Sequence, residues 1–207
     1  MPHTTLTTID LIRHGEPVGG RKYRGQIDDP LSEKGWAQMH NAVGHFKQWQ
    51  HIISSPLTRC HEFAHSLAQQ HDIPLSVEPR LKEVGFGAWE GKTAAQISTN
   101  DADLLFNFKR DPQTYRPQGA ETIADFYQRV SLAWDELTTL YDGQHVLIVC
   151  HAGVIRMILA HVLGMPPANA YRIQVGSAAV SRISIEKRGT QCHANLVFHD
   201  GSLVKNH

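Results

Sequence analysis

Four short stretches of this 207-residue chain hold side chains that can do chemistry. The first is Arg13-His14-Gly15-Glu16, which ends the apolar run Ile9 to Ile12. A strand that stops there delivers a guanidinium and an imidazole to one strand end, and glycine lets the backbone approach a ligand closely. Guanidinium offers paired donors to phosphate oxygens, and imidazole can attack phosphorus. The second is Ser54-Ser55-Pro56-Leu57-Thr58-Arg59. It places Arg59 in the first turn of a helix, where a cation opposes the helix dipole and free backbone N–H groups favour an anion. A counter-anion is therefore expected there. The third is Val149-Cys150-His151-Ala152-Gly153, with a second histidine at a strand end and small residues that keep space open. The fourth runs from Leu81 to Gly91 and sets Glu83 before a glycine-rich turn. A carboxylate beside a phosphate pocket can serve as a proton donor. Glu90 is the rival acid, read as a turn or ion-pair residue.

Strand-Arg-His-Gly, then Ser-Ser-Pro-x-x-Arg, then Glu-x-x-Phe-Gly-x-Trp-Glu-Gly, then His-Ala-Gly occur in that order. This order resembles the histidine phosphatase, or phosphoglycerate mutase-like, superfamily from Ile9 to about Ile185. The resemblance implies roles. His14 matches the nucleophile that becomes phosphorylated on a ring nitrogen. Arg13 and Arg59 match the arginines that hold the phosphoryl oxygens, and His151 matches the second pocket histidine. Glu83 matches the proton donor to the leaving oxygen, and Phe86 and Trp89 are expected to wall it from water. Catalysis of this kind rests on positioning and electrostatics, so no metal and no other cofactor is expected. The implied partner is a small-molecule phosphate ester. Gly25-Gln26-x-Asp28-x-Pro30-Leu31-Ser32-x-x-Gly35 resembles the family's substrate loop. Gly35-Trp36-Ala37-Gln38-Met39 and Phe86 to Gly91 resemble the α-ribazole phosphatase group, which acts late in cobalamin assembly. The chain departs from the family at Pro17, where threonine is common, and at Gly19-Gly20, where an asparagine often helps bind phosphate. Gln26 is expected as the replacement polar contact with substrate. A mutase usually carries a longer insertion than the segment Lys92 to Gly119, so a phosphatase is favoured over a phosphoglycerate mutase. A non-catalytic phospho-ligand binding module is disfavoured by the presence of both histidines, both arginines and the acid.

Placing these residues together requires alternating strands and helices. Strands are predicted at Thr8 to Ile12, His51 to Ser54, Leu75 to Val77 and Val146 to Cys150, with two more near Ala179 to Glu186 and Asn195 to His199. Val146 to Cys150 is continuously apolar, as in a strand buried on both faces. Helices are predicted from Ser32 to about Trp49, Pro56 to about His71, Glu121 to Tyr141 and Gly153 to Leu163, from apolar residues at three-to-four spacing and from capping residues. Thr93 to Phe108 reads as weakly helical, and Glu83 to Gly91 and Asp111 to Gly119 as loops. The alternation implies an α/β fold, a three-layer α/β/α sandwich with a mostly parallel central sheet, in one domain over 1–207.

The composition limits the partners. The 20 basic and 20 acidic residues balance, which argues against a nucleic-acid surface and a polybasic membrane anchor. No apolar run reaches the ~20 residues that span a bilayer. Met1 to Asp10 lacks the form of a signal peptide. Cys60, Cys150 and Cys192 form no C-x-x-C pair, which suits a reducing cytoplasm.

Overall fold

The structure, a computed structural model, describes residues 4–201 and 203. The ends of the expected domain, residues 1–3 and 204–207, lie outside the described residues together with 202. Six strands form one sheet: β1 (Thr4–Arg13), β2 (His51–Ser54), β3 (Leu75–Val77), β4 (His145–Cys150), β5 (Val180–Arg188) and β6 (Gln191–Gly201). The order is β3-β2-β4-β1-β5-β6. β3, β2, β4 and β1 run parallel, and β5 and β6 add an antiparallel hairpin beside β1. The sheet is therefore mixed and mostly parallel.

Alternation along each central strand sends neighbouring side chains to opposite faces. Ile9, Leu11, Ile53, Val146, Ile148 and Cys150 pack under α5 (Ile123–Leu140) and α6 (Ala152–Val162). Ile12, Ile52, Leu147 and Val149 pack under α1 (Glu33–Val43) and α2 (Thr58–His71). Helices thus cover both faces, which is the three-layer sandwich. Among the described residues no helix is long and apolar enough to cross a membrane.

The predicted elements shift in three places. α1 starts as expected, with the Ser32 hydroxyl accepting from the Gly35 N–H at 3.1 Å. It ends at Gly44, whose φ of 51° breaks the helix. Phe46 and Trp49 reach the same core from an irregular segment. α2 starts at Thr58 rather than Pro56, because residues 55–57 form a turn in which the Ser55 hydroxyl accepts from the Leu57 N–H at 3.3 Å. The weakly helical stretch divides into α3 (Ala94–Ile97) and α4 (Leu104–Arg110), interrupted by a run of Ser, Thr, Asn and Asp whose side chains compete for backbone groups. A 3-10 turn, Gly87–Trp89, forms inside the expected loop, and another, Pro167–Arg172, follows α6.

Candidate active site

Parallel pairing explains why distant residues meet. β1 and β4 are neighbours with Arg13 opposite Cys150, so His14 and His151 leave the sheet side by side. Their ring centroids lie 5.2 Å apart, edge to face. β2 lies on the other side of β4 with Ser54 opposite Val149, which brings Ser55 beside His151. The site occupies the carboxyl ends of the strands, where open α/β sheets place their ligands.

His14 is buried, and its Nδ1 lies 2.7 Å from the Gly15 carbonyl. A carbonyl only accepts, so Nδ1 carries the proton and Nε2 keeps a free lone pair. Burial, with the Arg13 and Arg59 charges after it, holds the imidazole well below its ordinary 6.5. The ring is therefore neutral, with the Nε2 lone pair uncommitted. His151 is also fully buried, and burial followed by the Arg59 charge holds it low as well. Its Nε2 lies 2.7 Å from the Ser55 hydroxyl and 3.6 Å from the buried Cys60 sulfur. Burial raises that thiol above the ordinary range, so Cys60 packs as a thiol and not as a nucleophile.

The arginines are held by backbone oxygens. Arg13 Nη1 donates to the Val175 carbonyl at 2.7 Å. Arg59 donates from Nη1 to Ile27 O at 2.7 Å and from Nη2 to Gly25 O at 2.8 Å. In both residues the Nε is buried with no hydrogen-bond partner. An unmatched buried donor is costly, and a ligand oxygen or an ordered water would satisfy each of the two. The anion expected at the start of α2 is met in part by protein. Asp28 accepts from the Thr58 N–H at 2.6 Å and from its hydroxyl at 2.8 Å. The Thr58 N–H is thereby taken by Asp28, and the Arg59 Nε is left without a partner.

Glu83 is buried and reaches the same centre. Its Oε1 accepts from the Val84 N–H at 3.0 Å, and its Oε2 from the Gly153 N–H at 3.2 Å. A side chain at Gly153 would run into Glu83 Oε1 and the Phe126 ring, so this glycine makes room for the acid. The ring that walls this corner is Phe126. Phe86 and Trp89, expected in that role, join Phe108 in an aromatic cluster. Glu90 does structural work. Its carboxylate accepts from the Gln26 N–H at 3.2 Å and the Phe86 N–H at 3.0 Å, which ties the 17–31 loop to the 83–91 loop. Gln26 stands exposed on the rim, its amide nitrogen 3.4 Å from the Glu83 carbonyl.

The structure thus brings His14, Arg13, Arg59, Glu83 and His151 together, with Gln26 at the edge. Sequence reasoning missed Arg129, placed Asp28 only in the substrate loop and not against Thr58, and read Ser55 only as a helix cap. Arg129 donates to the Arg80, Lys82 and Glu83 carbonyls and pairs with Glu121, which fixes the backbone that carries Glu83. Arg129 sits on the polar side of an amphipathic helix, where a sequence offers no sign that the partner is a loop.

The model of the histidine phosphatase superfamily (branch 1) matches residues 9–195. The chain belongs to that family. A bifunctional protein of Mycobacterium tuberculosis is 33% identical over 182 residues, which cover 86% of this chain and 50% of that protein. The chain thus matches about half the length of that relative. An adenosylcobalamin/alpha-ribazole phosphatase of Salmonella typhimurium is 32% identical over 181 residues, covering 84% of this chain and 89% of the relative. Among solved structures, a mycobacterial glucosyl-3-phosphoglycerate phosphatase superposes with a TM-score of 0.83 at 27% identity, over 94% of this chain and 99% of that one. A putative alpha-ribazole-5'-P phosphatase of Escherichia coli gives 0.79 at 26% identity, over 94% and 96%.

Proposed function

We propose that this chain hydrolyses small-molecule phosphate monoesters through a phosphohistidine intermediate, without a metal ion. The observation that carries this reading is the pair of unpartnered buried Nε groups of Arg13 and Arg59 beside a neutral His14. Two guanidinium groups match the charge spread over the equatorial oxygens of a transferring phosphoryl group. His14 Nε2 attacks phosphorus, the P–N bond forms, and the P–O ester bond breaks. Glu83 in its acid form gives its proton to the departing oxygen. Water then attacks phosphorus, Glu83 takes the water's proton, and the P–N bond breaks to release phosphate. His151, held by Ser55, donates to a phosphoryl oxygen as charge develops. The family membership, the balance of charge and the buried thiols of Cys60 and Cys150 support a small-molecule enzyme of the cytoplasm.

The test is chemical trapping together with an ester panel. Enzyme quenched during turnover should hold acid-labile, base-stable phosphate on His14. Wild-type turnover by His14→Ala would overturn the mechanism, and loss of activity on chelation, restored only by added metal, would overturn its metal independence. The panel includes nitrophenyl phosphate, α-ribazole 5′-phosphate (the type of ester for which the Salmonella relative is named) and 3-phosphoglycerate.

A further inference from the structure

α2 carries two histidines that the phosphoryl chemistry does not use. Its residues 61–65 read His61-Glu62-Phe63-Ala64-His65, a His-Glu-x-x-His spacing within the helix Thr58–His71. Residues four apart on a helix share one face, one turn above the other. Phe63 and Ala64, between them, are buried in the core beneath α2. His65 is exposed and His61 half-buried, so the pair lies towards the outer side of the helix. Arg59, the helix residue that serves the pocket, precedes His61 by two residues. Two residues turn a helix by roughly 200°, which sends the histidines away from the phosphoryl position.

The two rings are already close. Their centroids lie 6.2 Å apart, with 42° between the planes. At a metal–nitrogen bond of about 2.0–2.1 Å each centroid stands roughly 3.2 Å from the ion, so two imidazoles at a tetrahedral angle stand roughly 5 Å apart. Closing the remaining gap of about 1 Å needs only a torsional adjustment of the exposed His65 side chain. The His61 Nδ1 is buried with no hydrogen-bond partner, so no hydrogen bond from that nitrogen fixes the ring against such a ligand. Imidazole is a ligand for zinc, copper and nickel and a poor one for magnesium or calcium.

We propose that His61 and His65 chelate a divalent transition-metal ion of the zinc class on the outer face of α2, apart from the phosphoryl pocket. Among the described residues no third His, Cys, Asp or Glu joins them. Two imidazoles therefore hold the ion, and water or an external ligand fills its other positions. Closed four-ligand zinc sites are structural and three-ligand sites catalytic, so this pair is neither. Its effect is on stability: an ion bound to both rings clips two successive turns of α2 and favours the folded chain by mass action. The phosphoryl chemistry proposed above makes no use of it.

The test is titration calorimetry and thermal melting of chelator-stripped protein with zinc, nickel and magnesium chlorides. Zinc and nickel should each bind at one ion per chain, and magnesium should not bind. Zinc at a hundredfold excess over its dissociation constant should raise Tm by roughly 5–10 °C. His61→Gln and His65→Gln should each weaken zinc binding at least tenfold and remove the rise in Tm. The double variant should be no worse than either single one, because a chelate needs both rings. Should His61→Gln fail to fold, His65→Gln, at an exposed position, still gives the answer. No saturable zinc binding by the parent protein overturns the proposal. So does zinc affinity that survives His65→Gln, which would place the ion on other histidines such as His14 and His151. Neither measurement depends on turnover of any ester, so failure here and failure of the phosphatase reading are distinct.

Discussion

At the scale of single residues, the roles of Glu83 and Gly153 separate by kinetics. An alkoxide leaving group needs a proton and a nitrophenolate needs much less help. Glu83→Gln should therefore cost roughly 10²–10⁴-fold in kcat/KM on alkyl phosphates, the usual worth of general acid catalysis, and clearly less on nitrophenyl phosphate. Equal losses would remove Glu83 from the acid role. Gly153→Ala should show the same bias towards alkyl esters. Its methyl group meets the Glu83 carboxylate, the mobile end of a side chain, and pushes the acid aside without unfolding the helix. A Gly153→Ala protein with unchanged selectivity between ester classes would contradict this. Protonation offers a second check. His14 and His151 are held well below 6.5, so ring NMR signals in the free enzyme should stay those of neutral imidazole from pH 8 to 6. The unfolded chain takes up those protons near 6.5 and the folded one does not, so this part of the stability is lost as pH falls below 6.5.

At the scale of elements, the junction between the first strand and α1 is the most constrained. A Cβ on Gly15 would strike the Gly35 backbone, and one on Gly35 would strike the backbone of Glu16. Backbone cannot retreat as a side-chain tip can. Gly35→Ala should cost about 2 kcal/mol, as overpacking does, and lower Tm by roughly 4–8 °C, with a loss of kcat as His14 shifts. Calorimetry and turnover on the one variant check both. This contact marks where the sequence could be read and where it could not. Arg13, His14, Arg59 and His151 were legible because each follows an apolar strand or opens a helix, and strand ends converge in a parallel sheet. β2 and β3 came out with their predicted limits because short β-branched and apolar runs stand between turn residues. The late start of α2 was hidden because Asp28, thirty residues upstream, supplies the acceptor for Thr58. Trans-capping leaves no local trace. Glu90 resembled a turn residue and became a clamp between two loops, a contact that exists only after both loops fold.

At the scale of the whole molecule, a second charged centre sits away from the pocket. Asp10 is fully buried in β1, beneath the α1–α2 layer. It accepts from Trp49 at 2.8 Å and from Arg182 at 2.7 and 2.9 Å, and lies 2.9 Å from His145 Nε2. Burial alone would raise its pKa, but the His145 and Arg182 hydrogen bonds outweigh that and hold it below its ordinary 3.8. Its contribution is therefore complete well above pH 3.8 and withdraws as pH falls through that value and below. Asp10→Asn should cost about 3 kcal/mol at neutral pH, as removal of one partner from a buried ion pair does. Denaturant unfolding at pH 7 and pH 3.5 tests this, since the gap between the two proteins should narrow at the lower pH. An equal gap at both would show that the carboxylate charge contributes nothing.

The position of β1 in the sheet also sets when the pocket can exist. Thr8 faces His145 on one side and Ser184 on the other, so β1 has no sheet partner until β4 is made, more than a hundred residues on. At ribosomal speeds of about 5–20 residues per second, β1 waits roughly 7–30 seconds for β4. Arg13 and His14 leave the ribosome before His151, but they meet it only after it has been added. Between the two strands a nascent chain therefore carries an apolar strand without its neighbour, and the pocket can capture phosphate only once β4 has joined β1.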